Sequence, residues 1–371
     1  MYKKFRKRKK FIAGACVVAL MLMLAVGIGG CSEQSAAPEG DAKAQEKGKP
    51  IELTFNHFFP ETSWVNDVVM EWKKMVEEKS DNRLKVTVYS SCSLSQSGEM
   101  YDAIKTGTID LCLDAGPYYS GRFPLSTATQ LPFLGARSSQ AFTYAWMDLY
   151  EEFPEFSAEY SDVHLLWLFS QGPAQLLSKT PIETIEDIKG LIVRAPGDWA
   201  PHIKALNASA VDLPASESYL ALSKGTVNAT IFTCESISTW KLYEVCPHAT
   251  VGNFFGQWFF VAMNQEKYDS LPEDLQKVID ECSGTAGAEL VAKAWDEADR
   301  AGLELAADKG VKIATLKDKE KWEEKLAPVT DSWIEEMEAK GYPAEQFVAR
   351  AKELIAEYDQ EIGSWQDEFD F

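Results

Sequence analysis

The chain has 371 residues, with 37 Lys and Arg against 57 Asp and Glu, and its formal charge of −20 repels phosphate backbones and sets nucleic-acid binding aside. Apolar residues make up 46% and aromatic ones 12%, enough for a packed core of two ordinary domains and too rich for a disordered chain. Four His, no two close in sequence, argue against a histidine-built metal or catalytic centre, and no cofactor is expected.

Residues 1–10, MYKKFRKRKK, carry seven Lys or Arg and no acid, and residues 11–30 carry no charge at all. The rest of the chain holds 30 basic against 57 acidic residues. A basic start, an apolar run and small residues before a cleavage point describe an export signal. A permanent transmembrane anchor is the alternative, since twenty apolar residues just span a bilayer. The run ends Ile28-Gly29-Gly30-Cys31, which resembles the bacterial lipoprotein processing site, with Ile28 where Leu is usual. Residues 1–30 are therefore expected to be removed and Cys31 acylated, which places the protein outside the cytoplasmic membrane. Residues 31–50 follow as a flexible, polar tether. Five cysteines then remain, Cys92, Cys112, Cys234, Cys246 and Cys282, with no C-x-x-C pair. Export permits disulfides, and buried free thiols are an equal reading.

Ile51–His57 alternates as a strand, and Trp64–Lys79 places Trp64, Val68, Val69, Trp72, Met75 and Val76 at helical spacing. Leu84–Tyr89 is a strand, Gly98–Lys105 a helix, Ile109–Leu113 a strand. That alternation implies parallel β-α-β units. Strands are next expected at His164–Phe169 and Ala174–Ser178, a helix start at Thr184–Asp187, a strand at Leu191–Arg194, and a helix at Trp199–Leu206. A strand at Ala210–Leu213, a helix at Glu217–Lys224 closed by Gly225, and a strand at Val227–Phe232 follow. Beyond Pro272 the chain reads as amphipathic helix, interrupted at Val311–Ala314, with Asp318–Lys340 and Pro343–Tyr358 last. The expected fold is α/β and two-lobed, with a ligand cleft at the carboxyl ends of the strands.

No G-x-S-x-G, H-E-x-x-H, G-x-x-x-x-G-K-[ST] or D-x-D-x-D-G motif is present, so nothing points to an enzyme. The informative residue is Arg194, in Lys189-Gly190-Leu191-Ile192-Val193-Arg194-Ala195-Pro196. A guanidinium at the mouth of a sheet suits a carboxylate held by two parallel hydrogen bonds. A structural ion pair with one of the many acids is the competing reading.

The pattern resembles the solute-binding proteins of tripartite ATP-independent periplasmic (TRAP) transporters, of DctP-like type, from about residue 51 to the C-terminus. The marks are Ala103-Ile104-Lys105-Thr106-Gly107-Thr108-Ile109-Asp110, the Asp187–Pro196 run, Glu217–Val227, Lys241-Leu242-Tyr243-Glu244-Val245 and Leu271-Pro272-Glu273-Asp274-Leu275-Gln276-Lys277. The resemblance implies a periplasmic-binding-protein-like receptor that closes on an organic acid and delivers it to small and large integral-membrane subunits. It places Arg194 on the carboxylate-binding arginine. It also implies a strand near Gln257–Asn264 crossing between lobes, with C-terminal helices packed across both. On that template residues 51–171 and 260–299 form lobe I, and 172–259 and 300–371 form lobe II.

Departures bear on the ligand. Ala174 stands where many relatives carry a second arginine, Phe232 where sialic-acid-type members place an Asn, and Asn228-Ala229 replaces Asp-Gly. One cation and more aromatic surface imply a monocarboxylate with an apolar or aromatic body. The expected contacts are Arg194, His57, Trp64, Tyr118, Phe232, Thr233 and Asn253, and Trp199, Phe254 and Trp258 are further wall candidates. A ligand-sensing module for a signalling partner would use the same cleft and is the alternative. A cleft enzyme and a receptor for an ATP-driven importer are more distant ones.

Overall fold

The computed structural model describes residues 49–195 and 199–370. The export signal and the acylation at Cys31 expected from the sequence fall outside the described residues, as does the expected tether up to residue 48.

From Ile51 onward the chain builds two sheets. The first contains β1 (Ile51–His57), β2 (Leu84–Tyr89), β3 (Leu111–Ala115), β4 (His164–Ser170) and β10 (Trp258–Met263), in the order β2-β1-β3-β10-β4. β1 pairs parallel with β2 and β3, and β10 enters antiparallel between β3 and β4. The second holds β5 (Gln175–Ser178), β6 (Ile192–Arg194), β7 (Ser209–Val211), β8 (Ala229–Phe232), β9 (His248–Val251) and β11 (Lys312–Thr315), in the order β11-β9-β5-β8-β6-β7.

Helices cover these sheets because their apolar stripes have nowhere else to go. In α1 (Trp64–Lys79) the Ser63 hydroxyl accepts the Val65 amide at 3.2 Å, and Val65, Val68, Val69, Trp72 and Val76 are buried against the first sheet. The short α2 (Met100–Lys105) ends just before Gly107, at φ +71°. The reading of the sequence offers no element between residues 114 and 163, where the structure has α3 (Ser139–Glu152). It is apolar on most of its circumference, because sheet and helices enclose it, so it shows no clean stripe. The turn expected to start a helix at Thr184 stays a turn, with Asp187 accepting the Glu183 and Thr184 amides at 3.1 and 2.8 Å. The chain must reach β6 within a few residues, which leaves no room for a helix.

α4 (Ala200–Ala205) and α5 (Ser218–Lys224) flank the second sheet. The 25-residue α6 (Gly284–Asp308) packs on β4 and α3 at one end and on Glu235–Thr239 and β11 at the other, so it serves both sheets. Gly302 permits that crossing: a Cβ there would stand 2.1 Å from the Cys234 carbonyl oxygen, a backbone atom with no freedom to yield. α7 (Lys319–Ala339) packs on α4, whereas α8 (Ala344–Ile362) packs on α3. Within 300–371, then, β11 joins the second sheet while α8 lies beside the first.

Two chain segments pass directly between the sheets, 171–174 and 252–257. They pair with each other: Gln171 donates to the Gln257 carbonyl at 3.0 Å, Ala174 to Phe255 at 2.8 Å, and Phe254 to Ala174 at 3.0 Å. The architecture is the two-lobed α/β arrangement expected, but the strand expected to cross near Gln257–Asn264 stays within the first sheet as β10, and the crossings are the extended segments 171–174 and 252–257. All five described cysteines are unpaired, and four of them are buried.

Candidate functional site

Arg194 ends β6, in register with Thr230 of β8, so its side chain leaves the sheet at the carboxyl edge of two parallel strands. It is only 5% exposed. Its Nε donates to the Leu213 carbonyl at 2.9 Å, while Nη1 is buried without a partner among the described residues. The Phe232 ring lies under the guanidinium, 4.3 Å from Cζ to centroid, which supports the charge without using its donors. Burial lowers the pKa to about 10, and nearby Tyr118 and Asp212 work the other way. A desolvated cation with an idle donor is poised for an anion.

Tyr118 faces this arginine from the first lobe. It follows β3, is 52% exposed, and stands edge-on to Phe58 at 6.1 Å. From Phe58 a run of ring contacts crosses the first sheet. Phe58 and Phe59 stack at 4.0 Å, both reach Phe259 at 6.3 and 6.2 Å, and Phe259 stacks on Phe169 at 4.8 Å. Phe259 also meets Trp295 at 5.4 Å, and Trp295 meets Trp64 edge-on at 4.9 Å. Trp64 then returns to the second lobe, its indole N–H directed at a Glu235 carboxylate oxygen at 3.4 Å. Glu235 also receives the Ser236 and Thr239 hydroxyls at 2.8 and 2.7 Å.

The structure thus brings Arg194, Phe232 and Tyr118 together and sets Trp64 at a second bridge between the lobes. Thr233 is buried beside that bridge, its hydroxyl 3.3 Å from Glu235 and 3.2 Å from Ser236. His57 is fully buried, with Nε2 3.1 Å from the Asn66 amide oxygen, and burial lowers its pKa, so it is neutral at pH 7. Asn253 is engaged on both sides: its oxygen accepts from Gln175 and Gln366 at 2.7 and 3.0 Å, and its Nδ2 donates to Gln366 at 2.9 Å. Trp199, Phe254 and Trp258 are core residues, no more than 1% exposed. Phe58, Phe59 and Glu235 are absent from the sequence-derived set. For the two Phe a signal existed, since two aromatics directly follow the first strand at its carboxyl end.

The model for bacterial extracellular solute-binding protein, family 7, DctP, matches residues 55–336. Among solved structures the chain is 27% identical to a TRAP solute binding protein of a marine metagenome (an unidentified microbe), specific for aromatic acid ligands and bound to metahydroxyphenylacetate. That match covers 83% of this chain and 99% of the other, with a TM-score of 0.78. A Bordetella bronchiseptica TRAP periplasmic solute binding protein with bound (R)- and (S)-mandelate is also 27% identical, over 84% and 100% of the two chains, at a TM-score of 0.76. One from Chromohalobacter salexigens with D-glucuronate is 21% identical, over 81% and 99%, at 0.72, and shares the fold.

Proposed function

Because this chain belongs to the DctP family of bacterial extracellular solute-binding proteins and is a TRAP-type receptor rather than an enzyme, we propose that its ligand is an aromatic monocarboxylate. The observation that carries this reading is the single idle guanidinium donor opposite an aromatic wall. The carboxylate pairs with Arg194, and the ring lies between Phe232 on the second lobe and Tyr118, Phe58 and Phe59 on the first. A densely hydroxylated sugar acid needs many polar partners, and a wall of Phe rings leaves its hydroxyls unpaired. Two of the neighbours at 27% identity, those from the marine metagenome and from Bordetella bronchiseptica, hold aromatic acids, which supports the choice.

A ligand that binds only the folded state raises the melting temperature by mass action, about 2.7 kcal/mol at a hundredfold excess over Kd. Benzoate, 3-hydroxybenzoate and mandelate at millimolar concentration are expected to raise Tm by several degrees, and D-glucuronate to leave it unchanged. A shift with glucuronate and none with the aromatic acids overturns the ligand class.

The receptor works with membrane subunits, and we propose that it reaches them on a lipid attached to Cys31. The basic, then apolar, then small-residue pattern ending at Cys31 supports this. Intact-mass measurement should find the mature chain starting at a diacylated Cys31, and Cys31→Ser should free the protein from the membrane with unchanged ligand affinity. An unmodified start elsewhere refutes the anchor.

A further inference from the structure

The end of β6 is held by the chain that leaves β7. Arg194 lies in register with Val211, the Ala195 amide donates to the Val211 carbonyl at 3.2 Å, and the Arg194 Nε donates to the Leu213 carbonyl at 2.9 Å. Asp212 stands between those two carbonyls. Neighbouring Cα atoms are about 3.8 Å apart, so two backbone anchors keep Asp212 beside the guanidinium.

Asp212 is exposed, and its side chain has no hydrogen bond or ion pair among the described residues. Its charge is nevertheless felt on both sides of the cleft. Burial moves the Arg194 pKa most, downward, and Asp212 raises it. Burial and then Asp114 push the Tyr118 hydroxyl up, and Asp212 adds to that rise. Among the described groups that act on Tyr118, Arg194 alone is a cation. A carboxylate seated on Arg194 therefore uses the available positive charge. A second carboxylate beside the first meets Asp212 instead, and a like charge facing a wrong ligand is a direct means of rejecting it.

We propose that Asp212 is a specificity-determining residue, which excludes acids carrying a second negative charge next to the anchored carboxylate. The role rests on the reading that the ligand carboxylate pairs with Arg194. Each negative charge on the ligand meets the same repulsion, so a dianion is disfavoured twice and a monocarboxylate once. At an exposed position the effect is about two- to fivefold per charge, and salt screens it.

The probes are 2-nitrobenzoate and phthalate, closely similar in shape, with one and two negative charges at pH 7.5. Both are titrated calorimetrically into the mature protein. Phthalate should bind wild type more weakly than 2-nitrobenzoate. Asp212→Asn keeps the side-chain size and should tighten 2-nitrobenzoate about two- to fivefold and phthalate by about the square of that factor, so the ratio between them narrows about two- to fivefold. Asp212→Lys should carry both changes further, and added salt should shrink them. An unchanged ratio in Asp212→Asn, or phthalate binding too weak to measure in Asp212→Lys, while 2-nitrobenzoate binds, overturns the filter and leaves the Arg194 reading standing. Failure of 2-nitrobenzoate to bind wild type at millimolar concentration overturns the aromatic ligand and the filter with it.

Discussion

Arg194→Ala is expected to weaken binding of an aromatic monocarboxylate by about thirty-fold to several thousand-fold, the equivalent of roughly 2–5 kcal/mol. The loss is large because the carboxylate would remain desolvated in the cleft with its partner gone. Arg194→Lys should recover only part of it, since an ammonium keeps the charge but lacks the planar fork. The ligand-free protein should respond differently. The guanidinium is buried on one hydrogen bond to Leu213 and a ring contact with Phe232, and its pKa is depressed to about 10 by desolvation. Held charged at pH 7, it destabilises the empty fold, by an amount on the order of 3 kcal/mol if the depression is converted directly. Arg194→Met should therefore leave the Tm of the empty protein unchanged or raise it. A lowered Tm together with near-normal affinity would make Arg194 a structural residue instead.

Stability should rise, not fall, as pH drops from 7.5 towards 5. Several carboxyls are buried with their pKa raised by desolvation: Asp114, Asp296 and Asp359 to about 6, Glu159 to about 7, and Asp299 well above its ordinary value. Asp296 accepts the Ser139 and Gln140 amides at the start of α3, and Glu159 accepts the Ser126 amide and hydroxyl, so these acids are built into the fold. A raised carboxyl binds its proton more tightly in the folded state. Its contribution therefore grows as pH falls through the folded pKa and is complete below the unfolded value near 4. At pH 5 each group near 6 has gained about 1.4 kcal/mol relative to high pH, several kcal/mol for the set. His57, His164 and His248, whose pKa values are lowered, oppose this below about 6.5. Asp187, Asp274 and Asp367, lowered by their partners, oppose it below about 4. Urea midpoints should accordingly peak near pH 5, and Glu159→Gln should flatten the rise between 7.5 and 5.5. A monotonic decline from pH 7.5 contradicts the assignment.

What could be read from the sequence follows from range. β1, β2 and α1 have the bounds that alternation and helical spacing place on them, because each pattern repeats within a few residues. β3 runs Leu111–Ala115, two residues beyond its expected start, since the Thr106–Ile109 turn takes the intervening positions. Polar candidates fare worse. Asn253 at the end of a strand looks the same whether it awaits a ligand or a neighbour, and its neighbour Gln366 lies 113 positions on. His57 with Asn66 is the same case. At Arg194 the strand end alone leaves a structural ion pair as the stronger reading and the family resemblance supplies the carboxylate role; among the described residues its buried Nη1 has no partner, which is what a site awaiting an anion requires.

The two direct crossings between the sheets are hydrogen-bonded to each other along Gln171–Ala174 and Phe254–Gln257. A paired ribbon bends across its width far more readily than it stretches or shears along its ladder, so the lobes have in effect a single coordinate on which to move. On the reading proposed here, the guanidinium rides on one lobe and most of the aromatic wall on the other. A molecule offering only a carboxylate, or only a ring, engages one lobe and leaves that coordinate unbiased. The receptor then behaves as a coincidence detector: both chemical signatures must arrive in one molecule before the shape presented to the membrane changes.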